Sequence, residues 1–235
     1  MENRMTQERF LRDAKDLQLH VQLEHDVYRH ILMKKPGSSA YHYSIVTFPG
    51  FLVMTGDMGA WTFQRLHDMF EFFRTGIKAD GTIRTNLGYW SEKLVAVDGS
   101  RRQAGCMEWD EEEFRRVVRE QRLQMMRSID GRILSKEKRR ELWEEIESDV
   151  LDKSEDEFQA MNAACEFSWG PKYGGPRPFY FADFWEHDCK RYTSAFEWAC
   201  FAIPHAIAMY DAHKEATKPP PPAPAPAGEP DECPF

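Results

Sequence analysis

The sequence predicts an α+β protein: a small antiparallel sheet near the N-terminus packed with several helices, followed by a helix-dominated C-terminal part. Three observations carry this. β-Branched and aromatic runs separated by turn residues fill the first third. Apolar residues recur at helical spacing beyond it. The supply of 16 Phe, 8 Tyr and 7 Trp in 235 residues is enough for a substantial buried core.

Taken in order, residues 6–17 read as a short helix with Phe10, Leu11 and Ala14 at helical spacing. Residues 19–35 read as extended, then Pro36-Gly37-Ser38-Ser39 turns the chain. Residues 41–48 and 51–55 read as strands. Pro49-Gly50 between them suits a type II turn, whose poor match to strand twist suggests a connection wider than two residues. After Gly56-Asp57-Met58-Gly59, the spacing of Phe63, Leu66, Phe70 and Phe73 predicts a helix with Asp57 as its cap. A second helix is expected over residues 88–97, ending at Asp98-Gly99.

In the middle, Asp110 and Glu113 resemble a capping box ahead of Phe114, Val117, Val118 and Met125. Asp130-Gly131 breaks that helix, Ser135 caps the next, and Ser154 with Glu157 opens a third. Residues 170–178 form a Gly/Pro loop. Residues 183–215 read as one long core helix, interrupted chemically by Glu197 and His205 and kinked at Pro204. Residues 1–217 thus form one α+β body, in which the charged segment 108–165 is either integral or a separate lobe. Residues 218–235 are a proline-rich tail of polyproline II character.

Composition narrows function. A formal charge of −8 lacks the basic footprint usual for duplex nucleic-acid binding. Five cysteines without a C-x-x-C pair read as free thiols in a reducing compartment, and the charged N-terminus lacks an apolar signal core. Residues 195–210 are too short and interrupted to cross a membrane. The expected location is therefore cytoplasmic.

His20, His25 and His30 recur every five residues. That step places successive side chains on opposite faces of a strand, so no metal site is expected, nor is any cofactor motif present. Gly56-Asp57-Met58-Gly59 falls short of a phosphate loop, because Asp57 repels phosphate and no Lys-Ser/Thr follows. Asp57 is a cap, or else the general base of an enzyme acting on a nucleotide or nucleic acid near the sheet edge, with His42 beside it and Trp61 as aromatic neighbour. Glu186-His187-Asp188-Cys189 collects catalytic residue types, but neighbours on a helix diverge. Glu197 and His205 are placed on the exposed edge of the last helix.

The charge blocks are the most unusual feature. Residues 108–113 carry five acids and no base. Residues 114–140 carry ten bases against three acids, and residues 141–157 carry nine acids against one base. Arg115, Arg116, Arg119, Arg122, Arg127, Arg139 and Arg140 form either a solvated helix surface laced by i, i+4 pairs or an interaction surface. The partner of such a surface would be a protein or, less compatibly with the flanking acids, a nucleic acid.

The stretch Thr47-Phe48-Pro49-Gly50-Phe51-Leu52-Val53-Met54-Thr55-Gly56-Asp57-Met58-Gly59, followed by Phe63-Gln64-Arg65-Leu66-His67-Asp68-Met69-Phe70-Glu71-Phe72-Phe73-Arg74, resembles a family of small accessory proteins encoded by tailed bacteriophages and prophages. Trp198-Ala199-Cys200-Phe201-Ala202-Ile203 and Tyr210-Asp211 are similar to that family's C-terminal part. The charged middle and the tail lie outside the resemblance. It implies no catalytic residue. What it implies is a setting, in which the protein binds a host macromolecule and blocks a bacterial anti-phage defence system.

Overall fold

The computed structural model describes residues 4–98, 105–128, 132, 134–170 and 178–218. The chain packs as two compact units. One holds residues 5–96 and the chain from Trp198 onward, and the other holds residues 97–197. The predicted break at Asp130-Gly131, the turn residue Gly99, most of the 170–178 loop, and the tail from residue 219 with Cys233 lie outside the described residues.

The first unit is built on a six-stranded meander in which every strand neighbours the next: β1 (Gln18–His25), β2 (Tyr28–Lys34), β3 (Tyr43–Phe48), β4 (Phe51–Gly56), β5 (Gly59–Gln64) and β6 (Leu94–Val97). Strands β1 to β5 pair antiparallel. Ile31, Met33, Tyr43, Ile45, Leu52, Met54, Trp61 and Phe63 alternate onto one face and are buried. Helix α1 (Gln7–Ala14), capped by Thr6, puts Phe10 into that core. Helices α2 (Met69–Arg74) and α3 (Leu87–Ser91) add Phe70, Phe73 and Trp90. The last helix (Ser194–Thr217) brings Trp198, whose ring meets Phe10 at 5.2 Å and Tyr43 at 5.5 Å. The Tyr43 hydroxyl donates to the Ala202 carbonyl at 3.0 Å, satisfying the one polar atom that this buried ring carries.

An α+β fold with an N-terminal antiparallel sheet is thus what the chain adopts, but several local expectations change. Residues 59–64 are a strand, not a helix: Gly59, Trp61 and Phe63 are buried at period two, and β4 supplies the partner. The helix begins only at Met69, and its cap is Asp68, which accepts from the Phe70 amide at 2.9 Å. Residues 88–97 divide into α3 and the edge strand β6. The Pro49-Gly50 loop is two residues long, since Phe48 pairs directly with Phe51. Gly50 takes φ +84°, as the second central residue of a type II turn must.

The histidine expectation also changes. The β1–β2 register shifts between Val21 and Leu23, so one extra residue flips the alternation. His20 pairs with Leu32, His25 with Tyr28, and Leu23 with His30. All three histidines therefore share the face opposite the core.

The second unit contains β7 (Met107–Trp109), α4 (Glu111–Arg127), α5 (Lys136–Asp149), α6 (Glu157–Glu166), the short pair β8 (Ser168–Trp169) and β9 (Phe179–Tyr180), and β10 (Lys190–Tyr192). Its core is rich in rings: Phe114, Phe167, Phe179, Phe181 and Phe184 pack with Leu142, Ile146 and Val150. Residues 183–193 are not the start of a long helix. Asp183 sits at φ +48°, a 3-10 turn follows over Phe184–Glu186, and Lys190–Tyr192 pairs with Met107–Trp109. Helix α7 runs only over Ser194–Thr217, with Pro204 inside it. Ser154 does not open α6. Asp156 caps it, while the Ser154 hydroxyl donates to Glu111 at 2.7 Å and its carbonyl accepts from the Trp109 indole at 2.8 Å.

Candidate interaction surface on the charged helices

Helix α4 starts where Asp110 accepts the Glu113 amide at 3.1 Å, with three glutamates in the first turn where the helix dipole favours them. Phe114, Val117 and Val118 turn inward. That stripe fixes where each arginine goes. Arg115 donates to Glu111 at 2.8 Å and to the Leu151 carbonyl at 3.1 Å. Arg116 is held by Glu113 and Glu120, and its hydrogen bonds keep the Glu113 carboxyl below the usual range. Arg122 lies over the Trp143 ring at 4.7 Å. On α5, Arg139 donates to the Arg132 carbonyl at 3.3 Å and Arg140 to Glu144 at 2.7 Å.

Two arginines stand apart. Arg119 and Arg127 are exposed and form no ion pair among the described residues. With Leu123, which is 45% exposed, they occupy positions i, i+4 and i+8, a single outward row. The arginine set named from the sequence therefore separates into five residues engaged by their own unit and two that project from it.

Beside this row lies a cleft of about 360 Å³. Gln121, Gln124 and Met125 of α4 and Ser128 just after it form one wall, and Phe179, Tyr180 and Ala182 form the other. Gln121 fixes the walls together, donating to the Ala182 carbonyl at 3.2 Å with His187 Nε2 2.8 Å away. Tyr180 is 62% exposed, and Trp185 farther along the same segment is 68% exposed. Sequence reading missed Trp185 because residues 183–193 read as core helix, and Tyr180 because it fell between the Gly/Pro loop and that helix.

The other site candidates lie in the first unit. His42 and Asp57 are brought together at one end of the sheet, where they close a loop. Asp57 accepts the Tyr41 amide at 2.9 Å, its own amide donates to the His42 carbonyl at 3.0 Å, and His42 Nδ1 lies 2.6 Å from the Ser39 carbonyl. Tyr41 is held at φ +58° by this arrangement, and its ring stacks on Trp198 at 5.9 Å. Trp61 is withdrawn as a contact residue: it is buried, because β5 directs it into the core.

Glu197 and His205 are not on an exposed edge either. Glu197 is buried, and burial lowers the pKa of His205. Cys189 is buried, and desolvation, aided by Glu113, Asp188 and Asp110, pushes its thiol up to about 11, the reverse of what a nucleophile requires. Cys106, Cys165, Cys189 and Cys200 carry free thiols. Among the described residues no group of three or more His, Cys, Asp or Glu is placed to hold a metal ion, and no helix is long and apolar enough to cross a membrane.

No protein-family model, curated protein or solved structure matches this chain.

Proposed function

We propose that the protein is a phage accessory protein that works by binding a macromolecule of the bacterial host, in the host cytoplasm, through the outward surface of α4. The observation that carries this reading is the Arg119–Leu123–Arg127 row. Arg115, Arg116 and Arg140 each have a carboxylate partner one turn away, whereas these two guanidiniums form no ion pair among the described residues. Exposed arginine on the helix that walls the cleft, with exposed Tyr180 on the opposite wall, belongs to the residue mixture that dominates binding energy at protein interfaces. The resemblance to phage accessory proteins supplies the setting, and a component of an anti-phage defence system is the partner it suggests.

The test is co-purification of the tagged full chain from host lysate, set beside the Arg119→Glu, Arg127→Glu double variant. A stoichiometric host protein that is retained by the parent and lost at least tenfold by the variant, with the parent complex weakening as salt rises, is the expected result. A complex held equally by both proteins would remove α4 as the contact.

A catalytic reading gains no comparable support. The Asp57 carboxylate and the His42 ring are committed to backbone groups of their own loop. On the binding reading, Asp57→Asn keeps an acceptor for the Tyr41 amide and leaves host-protein capture unchanged.

A further inference from the structure

The face of the sheet opposite the core is open, and its register can be read strand by strand. One row runs Leu23, His30, Val46, Val53, Thr62 across β1 to β5. A second runs His20, Leu32, Ser44, Thr55, Ala60. A third contains the pair His25 and Tyr28 and the series Phe48, Phe51, Gln64, with Tyr28 and Phe48 one step beyond the Arg29–Thr47 pair. None of these positions is Asp, Glu, Lys or Arg, in a chain that is 30% charged. A one-sided antiparallel sheet ordinarily turns polar residues to water. Here Leu23 is 54% exposed, Tyr28 47%, and Val46 and Phe48 38% each, and the Phe48 and Phe51 rings stack at 4.9 Å.

We infer that this face is the contact between two copies of the chain, which pair sheet against sheet. Three features of the face choose a second copy over a foreign partner. First, a two-fold contact sets a surface against itself, so any formal charge near its centre would meet its own image. The charge-free rows remove that repulsion, while the net charge of −8 is carried elsewhere. Second, among the strand positions of β1 to β5 only Lys34, at the end of β2, brings a formal charge onto this face, too little to select an unlike partner, in contrast to the arginine row on α4. Third, its size fits. Five strands about 4.8 Å apart and three rows about 6.8 Å apart span roughly 24 by 20 Å, or about 500 Å² in plan per copy. Side-chain relief brings the total for two copies towards the ~1,200 Å² at which specific interfaces begin. The pairing is therefore a weak, concentration-dependent one, with Val46 on the middle strand at its centre.

Sedimentation velocity on the full chain from about 1 to 200 µM tests this, with Val46→Glu and Val46→Lys as variants. Val46 is already partly exposed, so both variants keep the fold, which circular dichroism checks. The expected result is a parent dimer with a midpoint in the micromolar range. Each single variant should dimerise at least tenfold more weakly, and an equimolar mixture of the two should recover dimer. A parent that stays monomeric throughout overturns the inference, as does a dimer that neither variant weakens. If the parent is monomeric and Val46→Glu instead loses a captured host protein, the face belongs to that partner. Because Arg119 and Arg127 are untouched in these variants, the outcome is separate from that of the α4 reading.

Discussion

Asp68 shows how much one residue fixes in this protein. Its carboxylate takes two parallel bonds from Arg29, at 2.8 and 2.9 Å, and caps α2 through the Phe70 amide. Arg29 in turn lies 4.6 Å from the Phe70 ring centre. Burial by itself would raise the Asp68 carboxyl, but Arg29 and the Phe70 amide outweigh it and hold it below its ordinary value. Removing one member of a largely buried pair strands the other, so Asp68→Ala should cost about 3 kcal/mol in urea unfolding. The pH sign follows from the lowered value. The unfolded chain takes up this proton first, so the contribution is whole above about pH 4 and is lost as pH falls towards the folded value. Asp68→Asn should lack that part of the acid slope.

Gly56 makes a second claim at the same scale. A Cβ there would come within 2.2 Å of the His42 carbonyl oxygen, and φ is +159°. Gly56→Ala should therefore lower stability by about 2 kcal/mol or more, because backbone and not a flexible side chain must give way. An unchanged unfolding midpoint would show that the 41–42 loop moves freely, against its closure by Asp57.

At the scale of elements, what was legible followed local chemistry. Asp110 and Ser135 were each in place as helix caps, and β3 and β4 were written in β-branched and aromatic residues. What was not legible depended on distant partners. Phe63 sits at helical spacing from Phe70, yet β4 claims it as a strand residue. Lys190–Tyr192 read as helix, and is a strand because Met107–Trp109 pairs with it from 83 residues away along the Arg191–Glu108 link. The bulge between Val21 and Leu23 left no mark, since Leu19, Val21 and Leu23 alternate as if unbroken. The candidate site was legible in its residue types but not in its division. Only the placed glutamates tell Arg116 from Arg119. That division predicts that the Arg119→Glu, Arg127→Glu double variant unfolds within about 0.5 kcal/mol of the parent, as expected for exposed positions without partners. A large loss of stability would mean that these side chains serve the fold instead.

At the scale of the molecule, the two units keep separate cores. Phe184 is 1% exposed and touches Phe114 at 5.5 Å and Phe181 at 5.4 Å, all within residues 97–197. The sheet unit is centred instead on Phe63, Phe73 and Trp90. Phe184→Ala removes a ring from the first of these cores, at about 3 kcal/mol or more. If each core stabilises its own unit, hydrogen exchange should quicken in Glu111–Arg127 and Lys136–Asp149 while Tyr43–Phe48 and Phe51–Gly56 keep their protection. Equal acceleration everywhere would instead show one cooperative transition.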